Sequence, residues 1–187
     1  MPTQNSNIDR VVAYLDALGI KVDIKEKYND RVKVQKVAFL MQTLVGELNY
    51  TDFIFHMKGP YSHQLTVDYF ENEEKFHSKP TYVPDDREKQ LIERISVVMG
   101  NDLGAENLEV TASLLFLHSL DNLDFEASEI ELSKRKPHLP EEAIWHGSNV
   151  LKSLLLSEQE RDAQMKAVAK ETESLDKASC EDLQKFA

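Results

Sequence analysis

Six histidines, at 56, 63, 77, 118, 138 and 146, are the first residues to weigh for chemistry, because imidazole ligates metals and titrates near neutral pH. None stands in an HExxH or other metal-ligand spacing. His56 and His63 flank a Gly59-Pro60-Tyr61-Ser62 turn and with Asp68 would make a two-histidine site, but strand alternation can as easily turn His56 to solvent. His118 falls in the most hydrophobic segment, where a histidine bonded to backbone is a simpler reading than a ligand. Cys180 lies among acidic residues, which raise a thiol pKa and make it a poor nucleophile. There is no G-x-S-x-G, phosphate-binding loop or dinucleotide fingerprint. Glu106, Glu109 and the run Glu71-Asn72-Glu73-Glu74 read as solvated faces or helix-end charges. The expectation is a protein that is not an enzyme and uses neither cofactor nor metal.

The remaining polar candidates are Lys33, Lys36, Tyr61 and Ser62. A buried tyrosine ring under the turn, its hydroxyl satisfied, is one reading of Tyr61. Lys36 would then run its stem along that ring and reach a carbonyl or Asp68. The same Lys36–Tyr61–Ser62 surface, with Lys33 beside it, is the alternative as a partner-binding patch.

The elements that position these groups are legible from periodicity. Val34, Val37, Met41, Leu44, Val45 and Leu48 recur at helical steps, with Lys33, Lys36, Gln42 and Glu47 largely on other faces. Tyr50–Met57 switches to aromatic and β-branched residues and predicts a strand. Gly59-Pro60 breaks it. Ser62 is placed to cap the next helix by accepting an N–H near Leu65, and Leu65, Tyr69 and Phe70 supply that helix's buried side. Upstream, Ile8, Val11, Val12, Leu15 and Leu18 predict a helix, with Asn7 as a cap and Gly19 as a stop. Residues 20–32 read as a charged connection. Downstream, 77–86 is a loop with a strand that pairs with 51–57, and Asp85 or Asp86 opens a helix through Leu91, Ile92, Ile95, Val98 and Met99. Residues 105–120 predict the central helix, Phe125–Lys134 a shorter one, and Pro140 the first turn of another. The fold class is mainly α (α+β), a helical domain with a small antiparallel β element around 50–58.

From Ser157 the composition turns polar. Residues 1–156 read as the domain and 157–187 as a polar helical tail. Met165, Val168, Thr172 and Leu175 keep a three-four spacing, with Met165, Val168 and Leu175 as the apolar seam, either on a solvated, frayed helix or on one that docks on a partner or a second copy.

Three motifs in order give the chain a family likeness. They are Lys33, Gln35, Lys36 and Leu40 in a K-x-Q-K-x-x-x-L pattern; Phe53, Phe55 and Gly59-Pro60-Tyr61-Ser62, followed by Leu65 and Asp68; and Leu108-Glu109-Val110-Thr111-Ala112 leading to Phe116-Leu117 and Lys136-Pro137. Over roughly residues 30–156 the chain resembles SocA/Panacea-type domains and the related YwgA-like proteins of bacteria, mobile elements and phages. What the resemblance implies is a non-enzymatic interaction protein, an antitoxin or a proteolytic adaptor of a toxin–antitoxin system.

Composition bounds the rest. At 187 residues with 41% apolar content, one domain plus an appendage is the natural count. No run approaches the about 18 apolar residues of a membrane span. The start MPTQNSNIDR has no apolar signal core, and one cysteine makes no internal disulfide, so the expected location is cytoplasmic. A net charge of −11 repels phosphate backbones and disfavours nucleic acid. The basic groups Lys21–Lys36 and Lys134-Arg135-Lys136 are small enough to be solvated helix ends or loops. A protein partner, basic by complementarity, is expected, with homo-oligomerisation open. The rival is a DNA-binding regulator using Lys33 and Lys36 or Lys134–Lys136, and a phage defence or counter-defence role is a variant of the first.

Overall fold

The computed structural model describes residues 7–100 and 102–156. Among these, seven α-helices and one two-stranded antiparallel sheet form a mainly helical α+β fold, as the periodicity predicts. The chain divides into two units, the boundary falling between Leu151 and Lys152. The positions Met165, Val168 and Leu175 lie outside the described residues.

Helix α1 (Asn7–Ala17) begins at Asn7 itself, so that residue is helical rather than the cap. It stops where Gly19 turns to φ +70°: Gly19 N–H donates to Asp16 and Ile20 N–H to Leu15, the paired closing bonds of a left-handed helix end. The connection after it is more than charged. Ile20, Val22 and Ile24 are buried while Lys21 and Lys25 are exposed, an alternation that sews the segment to the core. Helix α2 (Tyr28–Val45) then takes in the last five residues of the segment 20–32 expected as a connection.

Helix α2 has no single apolar stripe. Every residue from Val34 to Met41 is buried, including Gln35 and Lys36, as in a helix enclosed on all sides. The 18-residue α2 packs against the equally enclosed α5 (Ala105–Ser119), where Leu108 to Leu117 are all buried, and these two form the centre. Phe116 is at the seam, 5.8 Å from Phe39 and 5.5 Å from Phe55 between ring centroids.

The sheet departs most from expectation. Strand β1 is only Ile54–His56, and its partner is β2, Gly59–Tyr61, joined by Met57-Lys58; no strand from 77–86 pairs with it. Gly59-Pro60 therefore does not end the β structure but forms its second half. Gly59 supplies φ +80°, and Pro60 sits opposite Phe55 with its carbonyl aimed outward at Lys36. Its nitrogen faces the same outward side, so the missing N–H costs the ladder nothing. Helix α3 (His63–Glu71) follows, capped by Ser62, which accepts from Leu65 N–H as predicted. It buries Leu65 and Tyr69, whereas Phe70 is 49% exposed and not part of its buried side. A 3-10 turn (Glu73–His77) and a loop lead to α4 (Asp86–Met99), where Asp85 and Glu88 form a capping box. Helix α6 (Phe125–Arg135) packs on α5. Helix α7 (Glu141–Leu155) approaches α5 at Gly147, where a side chain would meet Val110.

Candidate functional site: the hairpin and its cleft

Two glutamines, one heptad apart on α2, hold the segment from Tyr50 to Ser62. Gln42 Nε2 donates to Tyr50 C=O and its Oε1 accepts from Tyr50 N–H, both at 2.8 Å. Gln35 does the same to Ser62, both at 2.9 Å. Each side-chain amide makes the two bonds that a neighbouring strand would make to one residue. Seven residues is two helical turns, so both amides project from one face. Between them Lys36 Nζ donates to Pro60 C=O at 2.6 Å. Lys36 thus reaches a carbonyl, while Asp68 is taken by the Tyr50 hydroxyl at 2.9 Å. At the helix entry Asp52 accepts from Ser62 Oγ and from Gln64 N–H. Partial burial opposes ionisation there, but the bonds from Ser62, Gln64 and His63 hold the Asp52 carboxyl below its usual value.

Beneath the hairpin is a buried ionic cluster. Glu109 is 2% exposed and bonded to Lys136 Nζ at 2.5 Å, with Lys58 Nζ at 3.3 Å. Neither Glu109 nor Lys136, itself 2% exposed, is a solvated group, which corrects the reading of both. Phe55 completes the surroundings, with Arg135 4.9 Å and Lys136 5.6 Å from its ring centroid. Burial depresses the Lys136 ammonium against the opposing pull of Glu109. Burial, aided by Lys136 and Lys58, pushes Lys36 down to about 7 despite Glu109. Gly59 lies against this cluster so closely that a Cβ would collide with Ser113 Oγ.

Beside the hairpin opens a cleft of about 280 Å³, bounded by Tyr28, Arg31, Gln35, Lys36, His56, Lys58, Gly59, Tyr61 and Tyr69, with Val32. His56 is exposed on its strand and 5.5 Å from the Tyr61 ring. Among the described residues no group of three His, Cys, Asp or Glu side chains is placed to hold a metal ion, and none of their helices is long and apolar enough to cross a membrane.

The sequence-derived candidates separate. Lys36 and Ser62 are both buried, Lys36 at the outer edge of β2 and Ser62 at the cap of α3, while Lys36 and Tyr61 come together in the lining of the cleft. Lys33 instead pairs with Asp30 at 3.0 Å and lines a different hollow, with Leu18 and Gly104. His118 is the backbone-bonded histidine expected: Nδ1 is 2.7 Å from Leu123 C=O, and its ring stacks on Phe125 at 4.6 Å.

No family model, curated protein or solved structure matches this chain.

A second buried network escaped the sequence. Glu88, fully buried, accepts from the hydroxyls of Tyr14 and Tyr82, from Arg10 Nη1 at 2.7 Å and from Asp85 N–H at 2.6 Å. Burial and the carboxylate raise the Tyr14 hydroxyl and push Tyr82 up to about 12. The capping-box spacing Asp85–Glu88 was the available signal for Glu88, and nothing local in sequence pointed to Arg10 or Tyr14, more than 70 residues away.

Proposed function

We propose that the chain is a non-enzymatic protein-interaction module, of the kind the SocA/Panacea resemblance implies, that neutralises or hands on a protein partner through the face of the hairpin. The observation that carries this reading is a set of exposed apolar side chains on a rigidly held element. Ile54 is 57%, Met57 79% and Tyr28 55% exposed, around a hairpin that three α2 side chains and a buried ionic cluster fix in place. Rigid apolar anchors lose little entropy on binding. The cations that a duplex-binding reading needs are largely engaged. Lys33 pairs with Asp30, Lys136 with Glu109, and Arg135 with Glu131 at 2.8 Å and Asp121 at 3.2 Å.

The test is quantitative capture of partner from the native host by the full tagged chain. Ile54→Asp/Met57→Asp should lose a partner that the wild type retains at near-equal stoichiometry, while Val97→Asp, on the 75% exposed position of α4, keeps it. Equal retention by the hairpin variant, or salt-sensitive retention of duplex DNA by the wild type, would sink the reading.

A further inference from the structure

The cleft has a charge character opposite to that of the molecule. Its lining includes the cations Arg31 and Lys58, with Lys36, whose charge burial disfavours, and His56 beside them, and no aspartate or glutamate, in a chain of net charge −11. Its other walls are largely aromatic, from Tyr28, Tyr61 and Tyr69. We propose that this cleft binds a small aromatic carboxylate, with Arg31 receiving the anion and the three tyrosines enclosing the ring. The assignment stands apart from the partner reading at the hairpin tip, Ile54 and Met57, and shares only Tyr28 with it.

Arg31 is suited to this by what already holds it. Its Nη1 donates to Ile24 C=O at 2.8 Å and Lys25 C=O at 3.2 Å, and its guanidinium stands 5.7 Å from the Tyr28 ring centroid. No carboxylate pairs with it among the described residues. A guanidinium has five N–H donors in a fixed fork. With Nη1 engaged, the Nε and Nη2 hydrogens remain, and that edge fits the two oxygens of a carboxylate. Two backbone acceptors restrict the side chain beforehand, so ligand binding has less rotamer freedom to remove.

The other basic side chains are engaged elsewhere. Lys58 is drawn to Glu109 and Lys36 to Pro60 C=O. The size also selects. About 280 Å³ lies at the small end of ligand pockets, which run from roughly 300 Å³ upward. One ring with a short acidic arm fits, and a dinucleotide does not. Such a group exists as a free acid or as the terminal phenylalanine of a peptide.

The experiment titrates the full chain with 3-phenylpropionate and with the uncharged 3-phenylpropanamide, read by protein chemical shifts and by the rise in melting temperature that binding to the native state produces. The acid should bind and the amide should bind about tenfold more weakly, the loss of one good ionic contact. Arg31→Gln should bring the acid down to the level of the amide and leave the amide unchanged, while Lys33→Gln, outside the cleft, alters neither. If Arg31→Gln fails to fold, Arg31→Lys and the acid–amide comparison on the wild type decide. Equal affinity for acid and amide, undiminished binding of the acid in Arg31→Gln, or no binding of the acid would overturn the assignment. Ala-Ala-Phe with a free or an amidated C-terminus distinguishes the sources: tighter binding of the free tripeptide than of phenylpropionate marks a chain terminus, and the reverse marks a free acid. Both results uphold the site.

Discussion

Gly59 shows how much of this protein is decided by single atoms. Its φ of +80° is closed to most side chains, and the space a Cβ needs is filled by Ser113 Oγ. Gly59→Ala should therefore lower stability by about 1–3 kcal/mol, the usual cost of a strained backbone position, read as a lower urea midpoint with unchanged slope. An unchanged midpoint would mean that the hairpin does not rest on Ser113. At this scale the sequence was partly legible. Ser62 as a cap and Lys36 reaching a carbonyl follow from residue type and spacing. The two glutamine clamps do not, because a glutamine on a helix is read by default as solvated. The heptad spacing of Gln35 and Gln42 acquires meaning only once the chain from Tyr50 to Ser62 is known to run beside it. Glu109 and Lys136 were misread for the same reason, since each is 27 residues from its partner and a charge looks solvated until its counter-charge is found.

Helices were the most legible elements. The densest apolar segment did become one of the two central helices, because ten consecutive buried positions, Leu108 to Leu117, leave little choice but enclosure. Leu115 is fully buried, so Leu115→Ala should cost about 2–5 kcal/mol, as large-to-small core changes do. A thermal midpoint within a degree of wild type would contradict the central place of α5. The hairpin was half legible. Its first strand has β-forming residues, but its second is Gly-Pro-Tyr, two of them residues that ordinarily interrupt strands. Tertiary bonds from α2 override that local preference. The alternation Ile20, Val22, Ile24 was overlooked because intervening charges dominate a reading of 20–32 by composition.

A chain of net charge −11 places the ammoniums of Lys36 and Lys136 in its interior, with Glu109 beside them and the half-exposed Lys58 at the edge, and this has a pH signature. Lys36 titrates at about 7 when folded against 10.5 for the free side chain, mainly through burial. Between those values the unfolded chain binds more protons than the folded one, so stability rises with pH across that window. Lys136, also depressed, adds in the same direction. Tyr82, pushed up to about 12 from 10.0, acts oppositely above about pH 10, because the unfolded tyrosine then loses its proton first. Urea unfolding from pH 6.5 to 10, values set by these shifts, should show stability increasing on the alkaline side of neutrality, and Lys36→Met should flatten the rise. A steady decline from neutrality in the wild type would show that Lys36 keeps its charge in the fold.

The closure of β2 by side chains of α2 also limits how copies of the protein can join. Strand-to-strand addition between molecules requires a free row of backbone donors and acceptors, and fibres require one on each side of every sheet. Here Lys36 occupies the outward acceptor of β2, Gln35 the donor and acceptor of Ser62 just beyond it, and Pro60 offers no N–H there. At most the β1 side remains for another chain, so pairing through this sheet ends at two copies and cannot propagate.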